Sequence, residues 1–158
     1  DIKLVFRKAI DGYTHFTDVE KSKTIAFLDS IPNKKTCLHG DFHIGNIIIS
    51  DNKDKLFIDM GDFSYGDPIF DIATLYFNMH MPIPGAGKKV YHSDEKTLDQ
   101  FWRDFVRHYY CLNSEQEIDE FNKKVEPYVG LVTIFYSLKV RVEPWMDSYV
   151  RNLMKTVL

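Results

Sequence analysis

The chain is 158 residues long, 44% hydrophobic and 15% aromatic, with a formal net charge of −3. That length and apolar content suit one folded domain with its own core and exclude a disordered chain. The absence of a basic block and of an apolar run long enough to cross a bilayer argues against nucleic-acid and membrane partners, and two widely separated cysteines, Cys37 and Cys111, suit free thiols in a reducing cytoplasm.

Residues 3–10 read as a short helix that Gly12 and Tyr13-Thr14-His15 break. His15 is read as a surface or packing residue. Thr17-Asp18-Val19-Glu20 has the spacing of a capping box, with an acid three residues after the hydroxyl. A second helix is expected to run to about Ser30, where Ile31-Pro32-Asn33 stops it.

Lys34-Lys35-Thr36 then leads into Leu38-His39-Gly40-Asp41-Phe42-His43-Ile44-Gly45-Asn46. Residues 47–50 and 56–58 are apolar, and Asp51-Asn52-Lys53-Asp54-Lys55 between them is polar, so the pattern predicts a β-hairpin. Antiparallel pairing brings the outer ends together, which sets Asn46 beside Asp59, with Asp41 nearby in the loop. Gly40 and Gly45 allow that loop tight or positive-φ geometry. An amide oxygen and a carboxylate on a rigid hairpin suit Mg²⁺, which takes one or two protein carboxylates and fills its remaining positions with water and phosphate oxygens. The spacing His39-x-Asp41-x-x-x-x-Asn46, followed by Asp59-Met60-Gly61, matches the kinase catalytic signature: one Asp for the nucleophile, one Asn and one Asp for the metal.

The alternation His39, Asp41, His43 also admits a metallohydrolase reading, in which these side chains line one side of an extended segment. Further ligands would have to come from His80, His92 or His108, none of which has a second ligand at helical spacing. Asp62 is either part of a metal shell or an orienting residue of the turn after Gly61. Phe63-Ser64-Tyr65-Gly66 reads as a connector. Asp67-Pro68 reads as an N-cap followed by proline at the first helical position, opening a helix from Ile69 to about Met79.

His-Gly-Asp-Phe-His-x-Gly-Asn, then Ile-Asp-Met-Gly-Asp, then Gly66-Asp67-Pro68-x-x-Asp71-Ile72-Ala73 resembles the aminoglycoside phosphotransferase and choline kinase-like family over about residues 27–79. The resemblance implies an α+β, mostly helical unit: the C-terminal lobe of a protein-kinase-like fold, with a short β-hairpin carrying the metal ligands. It implies Asp41 as catalytic base, Asn46 and Asp59 as ligands of Mg and the nucleotide, and His39 and His43 as braces of the loop. Asp71 would anchor the catalytic-loop backbone from below. As a residue of its own, Asp71 also reads as a first-turn acid favoured by the helix dipole. Two departures from a protein kinase bear on the acceptor. Gly40 replaces the Arg that would read an activation-loop phosphate, and the stretch from Asp62 to Gly66 is too short to dock a peptide. Both favour a small-molecule hydroxyl as substrate.

Met81-Pro82-Ile83-Pro84-Gly85-Ala86-Gly87-Lys88-Lys89 reads as a loop that, by the resemblance, leads toward the acceptor; it lacks the spacing of a phosphate loop. From Ser93 the chain turns helical. Leu98, Phe101, Trp102, Phe105 and Tyr109 form one apolar stripe. Ser114-x-x-Glu117 is a capping box opening a short helix to about Lys124, and Pro127 and Pro144 each suit the first turn of a new helix. Leu131, Ile134, Phe135 and Leu138 mark the first buried face; Met146, Tyr149, Val150, Leu153 and Val157 mark the last. Trp102, Tyr109, Tyr110, Tyr136 and Trp145 belong to the core or to an amine-binding pocket. Glu115, Glu117, Asp119 and Glu120 form a solvated face or pair with an amino sugar.

A kinase covers its nucleotide with a glycine-rich turn and a Lys-bearing strand, and residues 1–158 hold neither. The expected unit is therefore a cytoplasmic C-terminal catalytic lobe. Its partner would be an N-terminal nucleotide lobe absent from this chain, and the isolated lobe would be inactive. The intact enzyme would move the γ-phosphoryl of ATP or GTP to a small molecule such as an aminoglycoside or amino-alcohol. A non-catalytic lobe that binds a small molecule or a partner is the alternative of a different class.

Overall fold

The computed structural model describes residues 1–139 and 144–158. Mostly helical, it contains two small two-stranded sheets. In chain order the elements are α1 (Ile2–Gly12), α2 (Asp18–Ser30), β1 (Thr36–Leu38), β2 (Ile47–Ile49), β3 (Lys55–Phe57), β4 (Ser64–Gly66), α3 (Ile69–Met79), α4 (Ala86–Tyr91), α5 (Glu95–Tyr110), α6 (Glu115–Lys139) and α7 (Pro144–Leu153). Single 3-10 turns, Ile44–Asn46 and Met60–Asp62, precede β2 and β4.

Helix α6 is the axis of the core and packs against α1, α3 and α7. Ile118, Val125, Val129 and Val132 form one buried stripe along it. That stripe passes straight through Pro127, so α6 is one helix where the sequence suggests two. Proline removes one ladder hydrogen bond and crowds the carbonyl four residues back, at a cost of about 3 kcal/mol. Here that carbonyl belongs to Lys123, an exposed residue, and burial on both sides of the proline outweighs the loss. Gly130 lets the C-terminal segment approach, since a Cβ there would run into Met154. Trp102 joins α5 to the core, with its ring edge-on to Tyr76 at 4.9 Å and Nε1 donating to Asn122 Oδ1 at 2.8 Å.

Several expected boundaries hold because they depend on neighbouring residues alone. The Thr17–Glu20 capping box is formed: Glu20 N donates to Thr17 Oγ1, and Thr17 N to Glu20 Oε2 at 2.8 Å. The Ser114–Glu117 box opens α6 in the same way. Asp67 Oδ1 accepts the N–H of Ile69 at 3.0 Å, and the helix runs Ile69–Met79 as expected, with Pro68 and not Asp67 at the cap position.

Other expectations are corrected. The connector after Phe63 is a strand: β4 pairs antiparallel with β1, Leu38 opposite Ser64 and Thr36 opposite Gly66. Half of the 81–89 loop belongs to α4, held by Gly87, whose missing Cβ makes room for Leu98 of α5. The buried stripe of α5 is Leu98, Trp102 and Val106, while Phe101 and Tyr109 are exposed and Phe105 half-buried. Leu138 is exposed as well.

The two ladders together build a frame. β1 pairs with β4, and β2 pairs with β3 in the register Ile47 opposite Phe57. The segments that join the ladders, residues 39–46 and 58–63, are therefore tied to each other at both ends. His39, Asp41, His43, Asn46, Asp59 and Asp62 all lie on one of these two segments.

Candidate active site

Backbone bonds hold the loop from below. His39 N donates to Asp71 Oδ2 at 2.8 Å, and Gly40 N to Asp71 Oδ1 at 2.9 Å. Asp71 sits in the first turn of α3, and its carboxylate spans two consecutive amides. Burial pushes its pKa above the usual carboxylate value, and the two amide bonds oppose that rise.

Side bonds hold the two segments together. Ile58 N donates to Asn46 O at 3.0 Å, continuing the β2–β3 ladder by one step and bringing Asp59 next to Asn46 along the chain of pairs. His39 Nε2 meets Ile58 O at 2.9 Å. Because a carbonyl only accepts, Nε2 carries the proton. Gly40 has φ +84°, and a Cβ there would overlap the Asp62 carbonyl, so glycine is required both for backbone angle and for space. Asp59 itself is left-handed, φ 56° and ψ 55°, a conformation Asp tolerates better than most residues, and it is exposed.

Asn46 is buried, and its Nδ2 donates to the Asp41 carbonyl at 2.9 Å. That bond uses the amide nitrogen and leaves Oδ1 as the atom Asn46 can offer a cation. The Asp41 carboxylate is held from two sides. Tyr136 O–H donates to Oδ1 at 2.6 Å, and His43 Nε2 stands 3.6 Å from Oδ2, an electrostatic contact longer than a hydrogen bond. His43 Nδ1 accepts Gly45 N–H at 3.1 Å, which places the ring proton on Nε2, facing Asp41. His43, first, and then Tyr136 hold the Asp41 carboxyl down at about 2 against partial burial, so it is ionised at neutral pH.

The segment after α3 reaches this site. Tyr91, the last residue of α4, has its ring 5.6 Å from His43 and donates its O–H to Asn78 Oδ1 at 2.7 Å. Asp62 is ion-paired with Lys139 at the end of α6, a partner the sequence does not suggest. Tyr136, read from the sequence as a core or amine-pocket aromatic, packs against the core and also touches Asp41 across 95 positions, a contact its helical spacing does not reveal. Glu115 and Asp119 pair with Arg103, and Glu115 also with Arg107, in a solvated network on α5 and α6. An apolar cavity of about 430 Å³ lies behind the loop, lined by Leu38, Phe42, Phe57 and Phe105 among others; neither Asp41, Asn46 nor Asp59 lines it.

Among the described residues, no three His, Cys, Asp or Glu side chains gather as a metal-binding group. His39 Nε2 is committed to Ile58 O, His43 Nδ1 to Gly45 N, and His80 lies against Asp99 at 3.0 Å. Asn46 Oδ1 and the Asp59 carboxylate are oxygen donors, the donor type that suits Mg²⁺.

The model of the phosphotransferase enzyme family, which covers the aminoglycoside phosphotransferase and choline kinase-like proteins, matches residues 18–110, more than half of the chain, and the chain belongs to that family. No curated protein and no solved structure matches it. No helix among the described residues is long and apolar enough to cross a membrane.

Proposed function

We propose that this chain is the C-terminal catalytic lobe of a small-molecule kinase that transfers the γ-phosphoryl of ATP or GTP to a hydroxyl. Asp41 orients that hydroxyl and takes its proton. Asn46 Oδ1 and the Asp59 carboxylate would hold Mg²⁺, which when bound neutralises charge on the phosphates. The framed loop supplies the rest by position, since phosphoryl transfer asks the protein for alignment and charge balance more than for covalent chemistry. The observation that carries this reading is the lashing of segment 39–46 to segment 58–63. It holds an ionised Asp41 on one side and Asp59 on the other.

The acceptor class follows from the same loop. Gly40 is packed against Asp62 O and leaves no room for a side chain that would clamp a phosphate on an activation loop. An aminoglycoside or an amino-alcohol is the reading favoured for the acceptor. A nucleotide lobe would cover the exposed apolar residues Ile48, Ile49, Leu56, Phe57 and Met60 of the hairpin and the turn after it. The same surface supports a second reading, a lobe that binds a partner without catalysis.

The deciding experiment is turnover of Mg·ATP by the intact enzyme, this lobe together with its nucleotide lobe, with a panel of amino-sugar and amino-alcohol acceptors. Asp41→Ala is expected to abolish turnover while Mg·ATP binding persists. Activity within about tenfold of the parent would reject Asp41 as base. Stabilisation by Mg·ATP with no turnover of any acceptor would favour the binding lobe.

A further inference from the structure

Tyr136 stands on α6, outside the residues that the family model matches, yet its O–H reaches Asp41 Oδ1 at 2.6 Å. Its place is set from several sides. The ring stacks on Phe77 of α3 at 5.2 Å and lies 5.8 Å from Phe135. The Asn78 side chain lies beside the phenol. Asn78 is itself held, donating to Thr74 O at 2.9 Å and accepting from Tyr91 at 2.7 Å. A tyrosine that only filled space would not need this network about its hydroxyl; phenylalanine would pack as well. Burial, and then the neighbouring Asp41, push the Tyr136 pKa up, so the phenol keeps its proton and stays a donor.

A carboxylate on a loop is free to rotate about two side-chain bonds. The backbone bonds at His39, Gly40 and Asn46 fix the main chain of this loop, not the Asp41 carboxylate. A charge-assisted bond from a rigid phenol does fix it. Resting on the phosphotransfer reading, we propose that Tyr136 is a positioning residue: by occupying Oδ1 with a short hydrogen bond it aims the Asp41 carboxylate, so that Oδ2, which faces His43 Nε2 only at 3.6 Å, is the oxygen that receives the acceptor's proton. In that step the acceptor O–H bond breaks and its proton passes to Oδ2. The acceptor oxygen bonds to the γ-phosphorus as the bridging oxygen departs with the nucleoside diphosphate.

The test uses the intact enzyme, this lobe together with its nucleotide lobe, and Mg·ATP with water as the acceptor, so that no substrate has to be known. Tyr136→Phe is expected to lower kcat at least about tenfold and to leave KM for Mg·ATP within about twofold. An unchanged kcat, or a raised KM at unchanged kcat, would overturn the proposal. Tyrosine labelled with ¹³C at Cζ gives a second readout that needs no turnover and no change in α6. The Tyr136 resonance is expected to move in Asp41→Ala, and an unmoved resonance would overturn the contact itself. A parent with no turnover would sink the phosphotransfer reading, whereas the Cζ resonance still decides whether Tyr136 holds Asp41.

Discussion

His39 donates through Nε2 to the carbonyl of Ile58 at 2.9 Å, tying the loop that carries Asp41 to the strand end that presents Asp59. The imidazole is buried and leans on Phe57 and Phe42 at 6.2 and 6.3 Å. His39→Phe keeps the volume and removes the donor, leaving Ile58 O without its partner. The expected loss is about 1–3 kcal/mol, read as a lower denaturation midpoint at unchanged slope. An unchanged midpoint would mean that the bond contributes nothing to the frame.

Gly40 and Gly85 both have positive φ, +84° and +75°, but only Gly40 faces backbone. At Gly85 nothing lies within 4 Å of where a Cβ would stand. Gly85→Ala should therefore cost only the left-handed penalty, about 1–2 kcal/mol. Gly40→Ala must in addition move the Asp62 carbonyl, and is expected to cost at least about 2 kcal/mol more and to reduce turnover. Equal losses in thermal denaturation would show that the approach of Gly40 to Asp62 is not constraining.

Asp59→Asn keeps the shape of the side chain and removes its charge. Mg·ATP affinity should fall roughly tenfold or more, because charge count sets the strength of an oxygen site, while the fold is unaffected because Asp59 is exposed. Isothermal titration of Mg·ATP measures it, and unchanged affinity would remove Asp59 from the ligand set.

Glu20 connects α2 to α7 through Arg151, which also donates to the His15 carbonyl at 2.8 Å. Arg151, and then the Thr17 amide, lower the Glu20 pKa from 4.5 to about 2. The folded value lies below the unfolded one, so this contribution to stability is complete above about 4.5 and is lost as pH falls through about 2. Glu20→Gln should thus melt lower than the parent at neutral pH, and the gap should close between those limits and shrink with added salt. A gap of constant size down to pH 2 would show that the charge is not the source.

Much of this molecule was legible along the chain because the interactions involved are short in sequence. A hydroxyl and an acid three residues apart make the capping boxes at Thr17 and Ser114 whatever surrounds them. Two apolar runs around a polar turn make the β2–β3 hairpin, and with it the pairing that sets Asn46 against Ile58. The spacing of His39, Asp41, Asn46 and Asp59, with Asp71 beyond, points to a phosphotransferase, and the family match agrees.

What folding alone decided lies between residues far apart. β1 and β4 are three residues each, too short to carry a periodic signal, and they pair only because α3 and the loop bring them together. Pro127 stays inside a helix because the buried stripe on both sides outweighs one lost hydrogen bond. Phe101 and Tyr109 share the apolar period of α5, but a helix has one core-facing side, and Val106 occupies it in their place. Tyr136 meets Asp41 because α3 and α6 pack side by side, a contact encoded in the shape of two surfaces and not in any local pattern of residues.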